Sequence, residues 1–179
     1  MNFVRGGLWA LALTVALAPE LSRYLADRQL YRATSLLYAV QANATGMEST
    51  RALDFVTSEA LDAVRALPGD PRPWMLAGSA RLIARNPAEA VDLYQRALRV
   101  EERPEIDLNL GRAYMMLGLR EKASAVLLRA GWINPAIVTS LPEIARDPLV
   151  QAIAETEASL RSGRLKAPPP PPTAHPGPS

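Results

Sequence analysis

The chain contains no cysteine. Disulfides, zinc–thiolate sites and cysteine nucleophiles are therefore excluded. Histidine is nearly as scarce: the single one, His175, lies in a proline-rich tail, so no imidazole is available for acid–base work in the part that folds. Aromatic residues make up only 6%. Packing must come mainly from alanine and leucine, which suits closely approaching helices and argues against a β-sandwich. An excess of one charge is also lacking. Twenty Lys and Arg face eighteen Asp and Glu, and no dense basic run offers a nucleic-acid footprint despite a pI near 9.2. There is no metal-ligand cluster and no glycine-rich phosphate loop. The carboxylate pairs Glu101-Glu102 and Glu155/Glu157 stand on charged helix faces with no obvious chemical partner. Neither catalysis nor a cofactor, a metal, a small-molecule substrate or a nucleic acid is expected.

What is present is a chain of 179 residues, 49% hydrophobic and 21% charged, enough for one domain with tails. It opens MNFVRGGLWALALTVALAPEL, in which Arg5 precedes an uncharged run from Gly6 to Pro19. That is the pattern of a secretory signal or a signal anchor. The run is short for a spanning helix, which needs about 20 residues. A helix over 4–25 would be long enough, with Arg5, Glu20 and Arg23 near its ends. Cleavage after Ala16-Leu17-Ala18 would leave Pro19 behind the cut, a poor fit. Residues 1–19 are therefore read as a signal anchor or transmembrane segment, with a cleaved signal and an apolar helix packed on the domain as alternatives.

Residues 20–44 hold neither proline nor glycine and predict one long helix. Tyr24, Tyr31 and Tyr38 recur every seven residues on one stripe, with Leu30 and Leu37 on the adjoining one. The tyrosine stripe is either core or a docking face; core is the simpler expectation. Thr45 with Glu48 has capping-box spacing and predicts a helix over 45–67, with Ala52, Phe55, Val56, Ala60, Ala63, Val64 and Leu67 on its apolar face. Pro68-Gly69-Asp70-Pro71 breaks it. Further helices are predicted over 71–84, over 87–100 with Asn86 as cap, over 105–117 with Gly118 as turn, and over 121–132. Asn134-Pro135 and Asp147-Pro148 read as cap-plus-proline starts, and Gly163 as a terminator. The remaining RLKAPPPPPTAHPGPS reads as a polyproline spacer at most, within a disordered tail over 164–179.

Gly78 and Gly111, Ala90 and Ala123, and Ala97 and Ala130 share one offset of 33 residues. Self-similarity at such a period signals a helical array. One unit reads Trp74-x2-Ala77-Gly78, Ala90-x3-Tyr94 and Ala97. The next reads Leu110-Gly111-x2-Tyr114, Ala123-x3-Leu127, Ala130 and Pro135. Together they resemble the tetratricopeptide repeat family over residues 71–135. Arg81 departs from the pattern where the family has tyrosine, and Asp107 where it has tryptophan. The resemblance implies an all-α fold: a short solenoid of two repeats, an irregular helical pair over 20–70 that stacks on it as a possible degenerate repeat, and capping helices over 136–163. It also accounts for glycine inside a helix. Small residues at Gly78, Gly111, Ala90 and Ala123 let the paired helices approach, with Tyr94, Tyr114 and Leu127 filling the space beside them.

In such an array the first helix of each pair lines a concave surface. That implies a partner-binding groove of Met75, Ser79, Leu82 and Ile83 from one pair and Leu108, Asn109, Arg112, Met115 and Met116 from the next. The alternative is that the first or the terminal helix already covers the methionines. The expected function is a non-catalytic protein–protein interaction scaffold that binds a protein or peptide partner. It would be anchored in the bacterial inner membrane by its N-terminal segment, with the bulk of the chain periplasmic, and serve a cell-envelope assembly, secretion or polysaccharide system. A soluble adaptor or co-chaperone is the alternative.

Overall fold

Proline and glycine stand at most of the places where this chain must turn, and the helices lie between them. In the computed structural model residues 2–43 and 46–172 are described, including the side chains of 17–42 and 46–172. The chain is all-helical, with no strand among the described residues. The helices are α1 (Asn2–Asn43), α2 (Met47–Ala63), α3 (Arg72–Ile83), α4 (Pro87–Val100), α5 (Pro104–Met116), α6 (Arg120–Ile133) and α7 (Glu143–Arg161), with a 3-10 turn (Pro135–Ser140) between α6 and α7. Each of α1 to α6 packs on the helix that follows it. In addition α1 touches α3, α3 touches α5, and α5 touches the 3-10 turn. These elements therefore form one layer, and α2, α4 and α6 the other.

Local chemistry explains the boundaries. The Asn86 side chain accepts a hydrogen bond from the Glu89 amide at 3.3 Å and donates one to the Glu89 carboxylate at 2.8 Å. Asn134 caps the 3-10 turn by accepting from the Ala136 amide at 3.2 Å. Gly118 and Gly163 both take φ near +72°, the left-handed turn that ends a helix. α4 and α6 begin and end at positions 33 residues apart, and so do the ends of α3 and α5. The left-handed residues between the paired helices, Arg85 and Gly118, keep the same offset.

The packing repeats as well. A Cβ on Gly78 would lie 2.8 Å from the Tyr94 ring, and one on Gly111 would lie 2.5 Å from Leu127. The glycines thus admit onto the backbone the side chains of the following helix, Tyr94 and Leu127, that were expected to fill the space beside them. Ala90, Ala97 and Ala123 are buried in one core cluster and Ala130 in the next.

Several expectations are corrected. Tyr24, Tyr31 and Tyr38 are 62, 75 and 66% exposed, so they are not core. The stripe that packs on α2 and α3 is Ala26, Leu30, Ala33, Leu37 and Val40. Phe55 is 54% exposed, and Leu53 and Thr57 are buried beside Val56, Ala60 and Ala63. Asp147-Pro148 starts no helix. The Pro142 carbonyl already accepts the Ala145 and Arg146 amides, so α7 is under way before Asp147. Pro148 then leaves without a partner only the carbonyl of Ile144, a residue 88% exposed to water. Residues 164–172 are not free: the Arg129 side chain donates to the Pro169 carbonyl at 2.8 Å. Thr45, His175 and the side chains of 1–16 lie outside the described residues. α1 continues through Pro19 without a break. Among the described residues no helix is long and apolar enough to cross a membrane.

The glycine contacts give the first prediction. Gly111→Ala gains helix propensity of about 1 kcal/mol but drives a methyl group into the buried Leu127. The net outcome is a loss of roughly 1–3 kcal/mol, whereas Gly69→Ala, with nothing within 4 Å, stays near neutral. Urea melts of the two variants check this. Equal midpoints would show that the contact is not close.

Candidate functional site

The layer of α1, α3 and α5 is open along one side. Met75, Leu76, Ser79, Leu82 and Ile83 of α3 form the floor of a groove of about 420 Å3. One wall is α1, through Thr34, Leu37, Tyr38 and Gln41; the other is α5, through Asn109 and Arg112. Towards the start of α3 the groove runs into a smaller depression between Asp27, Leu30, Tyr31 and Thr34 of α1 and Arg72 and Leu76. Tyr31 and Tyr38 thus form a rim along it.

Six of the nine expected groove residues are brought together here: Met75, Ser79, Leu82, Ile83, Asn109 and Arg112. Three are not. Leu108 is buried in a cluster with Leu127, Val138, Leu141 and Leu149. Its counterpart one repeat earlier, Met75, is left accessible because no 3-10 turn lies over α3. Met115 and Met116 are exposed at the end of α5 and belong to no wall of the groove. The covering of the methionines by the first or the terminal helix, expected as an alternative, is not found on α5: Met115 and Met116 are exposed, and the 3-10 turn covers Leu108 instead. Over α3 such a covering is absent as well, because α1 stands beside the groove and forms a wall. The wall residues Thr34, Tyr38 and Gln41 were missed. The tyrosine stripe was the signal that pointed to them.

The polar groups are few and fixed. The Tyr94 hydroxyl lies 3.0 Å from the Ser79 hydroxyl at the floor. Burial pushes the Tyr94 phenol up to about 12, so it stays protonated and neutral. Arg112 donates to Asn109 Oδ1 at 3.1 Å and to the carbonyl and hydroxyl of Ser140 at 3.0 and 3.2 Å. All these partners are neutral, so its charge is not cancelled. At the other end Arg72 is held by Asp27 at 2.7 Å and by Asp70. The groove is therefore apolar along its floor, positive at the Arg112 end and, with two carboxylates on one guanidinium, not positive at the Arg72 end.

A titratable group of another kind lies outside the groove. Asp107 is fully buried and neither carboxylate oxygen has a hydrogen-bond partner. Burial, and then the nearby Glu102 charge, push its carboxyl up to about 7, against the opposing pull of Arg129. Hydrogen bonds from Arg129 hold Glu102 itself below the usual carboxylate range. The two groups therefore act in different windows. Folding favours the protonated Asp107, so its contribution is fully present below about pH 4 and is lost as pH rises through about 7, at up to about 1.4 kcal/mol per pH unit. Glu102 acts only at lower pH, in the opposite sense. Asp107→Asn should flatten the decline between pH 4 and 7 and raise stability at pH 8. Thermal melts across that range check it, and parallel curves for the two proteins would overturn it.

No family model, curated protein or solved structure matches this chain.

Proposed function

We propose that the chain is a non-catalytic scaffold of the tetratricopeptide type, which binds a helix or extended segment of a partner protein along the groove between α1, α3 and α5. The observation that carries this reading is the groove itself, open and apolar on the first helix of a repeated pair, with an arginine at each end. One departure from the family pattern also finds a physical account, as does one residue that keeps to it. Arg81, in place of tyrosine, pairs with Asp54 of α2 and with Glu89 of α4 at 3.0 Å, and so ties three helices where a ring would pack. Trp74, in its family position, bridges two core clusters, with the Arg96 guanidinium 5.3 Å from its ring centre.

The uncharged run from Gly6 to Pro19 is the segment we assign to a membrane, as the tether of an adaptor in the bacterial cell envelope. Its support is the sequence, together with the continuity of α1, which makes the tether and the groove wall one helix. Such an arrangement would hold the groove a fixed distance from the bilayer.

An apolar groove gives affinity through burial, at about 25 cal/mol per Å2 before ordering costs. Tyr38→Asp places a charge on an exposed rim residue and should abolish partner recovery from mild detergent with no change in melting temperature. Met116→Glu, exposed but outside the groove, should leave both unchanged. The reverse pattern, with binding lost only in Met116→Glu, would move the site to the end of α5. Carbonate extraction of the intact chain tests the tether separately, and full release into the supernatant would remove it.

A further inference from the structure

The proline run does not extend away from the helices. Pro170, Pro171 and Pro172 face Tyr114 of α5 and Lys122, Ala125 and Val126 of α6 across about 310 Å3. Pro169 immediately before them accepts the Arg129 hydrogen bond at 2.8 Å. This contact follows from the chemistry of the segment. Five successive prolines carry five carbonyl acceptors and no N–H, and their rings confine the backbone to the polyproline II conformation, which has no internal hydrogen bonds. Such a segment can satisfy its carbonyls only with outside donors, and it presents flat apolar rings that pack on aromatic faces.

The helices supply both requirements. Arg129 is pre-positioned: Glu102 accepts from its Nε and Nη2 at 2.7 and 2.9 Å, which leaves Nη1 aimed at Pro169. The Tyr114 hydroxyl is engaged by Gln95 at 3.0 Å, so the ring is fixed in place. Lys122 Nζ lies 5.8 Å from the centre of that ring. The space between run and helices is not filled, so the contact is a loose one.

We propose that the α5–α6 face is a polyproline-binding seat, occupied in cis by residues 168–172 and open in trans to a proline-rich segment of another protein. The tail is then a reversible strap that competes with such a segment. The inference is independent of the groove, which shares α5 with the seat but is lined there by Asn109 and Arg112, whereas the seat uses Tyr114.

The test uses the full chain and the synthetic peptide APPPPPTA, which is residues 167–174. A second full chain carries serine at each of positions 168 to 172, which removes the competing prolines at constant length. The labelled peptide should bind this chain at least about ten-fold more tightly than the native chain, because a tethered competitor acts at high effective concentration. Arg129→Lys in the same background, which keeps a charge for Glu102 but loses the fork, should weaken binding about ten-fold. A glycine–serine peptide of equal length should bind neither. Equal affinity for the native and serine chains, or none for either, overturns the proposal. In the native chain, excess peptide should also speed tryptic cleavage after Lys166 by displacing the tail. An unchanged cleavage rate overturns it even if the serine chain folds poorly.

Discussion

The contact of Tyr94 with Gly78 is the constraint on which the rest of the molecule depends. It places a full ring where any other residue at position 78 would put a Cβ within 2.8 Å. It thereby sets how closely α4 lies on α3. The same ring continues to a hydroxyl that reaches Ser79 and lies at the floor of the groove. One residue thus joins the core to the candidate site. Gly111 and Leu127 repeat the contact in the next pair, and Leu127, having no hydroxyl, ends in the apolar cluster around Val138. The two pairs are alike in geometry and differ in what they offer to solvent.

That difference explains why the groove is finite. Over α3 the inner layer is open because α1, on the far side, stands upright as a wall. Over α5 the 3-10 turn closes it, with Arg112 bonded across to Ser140. A regular repeat would extend the groove through Leu108; the capping segment buries that residue.

Much of the fold was legible because it rests on local signals. Asn86, Gly118 and Gly163 act on their own neighbours, and the offset of 33 residues is carried by small residues whose role is the same in both pairs. The tyrosine stripe misled because seven-residue spacing says which residues share a face without saying which face is inward. The sizes of the side chains decide that. Ala26 and Ala33 alternate with Leu30, Leu37 and Val40 to give a surface that α2 and α3 can approach, whereas three tyrosines would need three buried hydroxyl partners. Leu108, Met115 and Met116 were misplaced because equivalence between repeats holds only where both have the same neighbours. The start at Pro148 failed for a related reason, since Pro142 already provides the first turn. The tail was read from composition alone, which misses the bond that Arg129 makes to it.

On the scaffold reading, the charges give the groove a direction. Both arginines lie at its ends, yet they are not equivalent. Arg72 has two carboxylates beside it, which more than offset its charge. Arg112 has an amide, a carbonyl and a hydroxyl, which orient the guanidinium without neutralising it. Its hydrogen bonds to Ser140 also depend on the 3-10 turn staying docked, so the positive end is tied to the segment that caps the array. A segment lying on Met75 and Leu82 would gain most of its affinity from burial in either orientation. An acidic residue or a carbonyl-rich helix C-terminus would be favoured only at the Arg112 end. Apolar burial would then supply the strength of binding, and one uncompensated charge the polarity with which a partner is held.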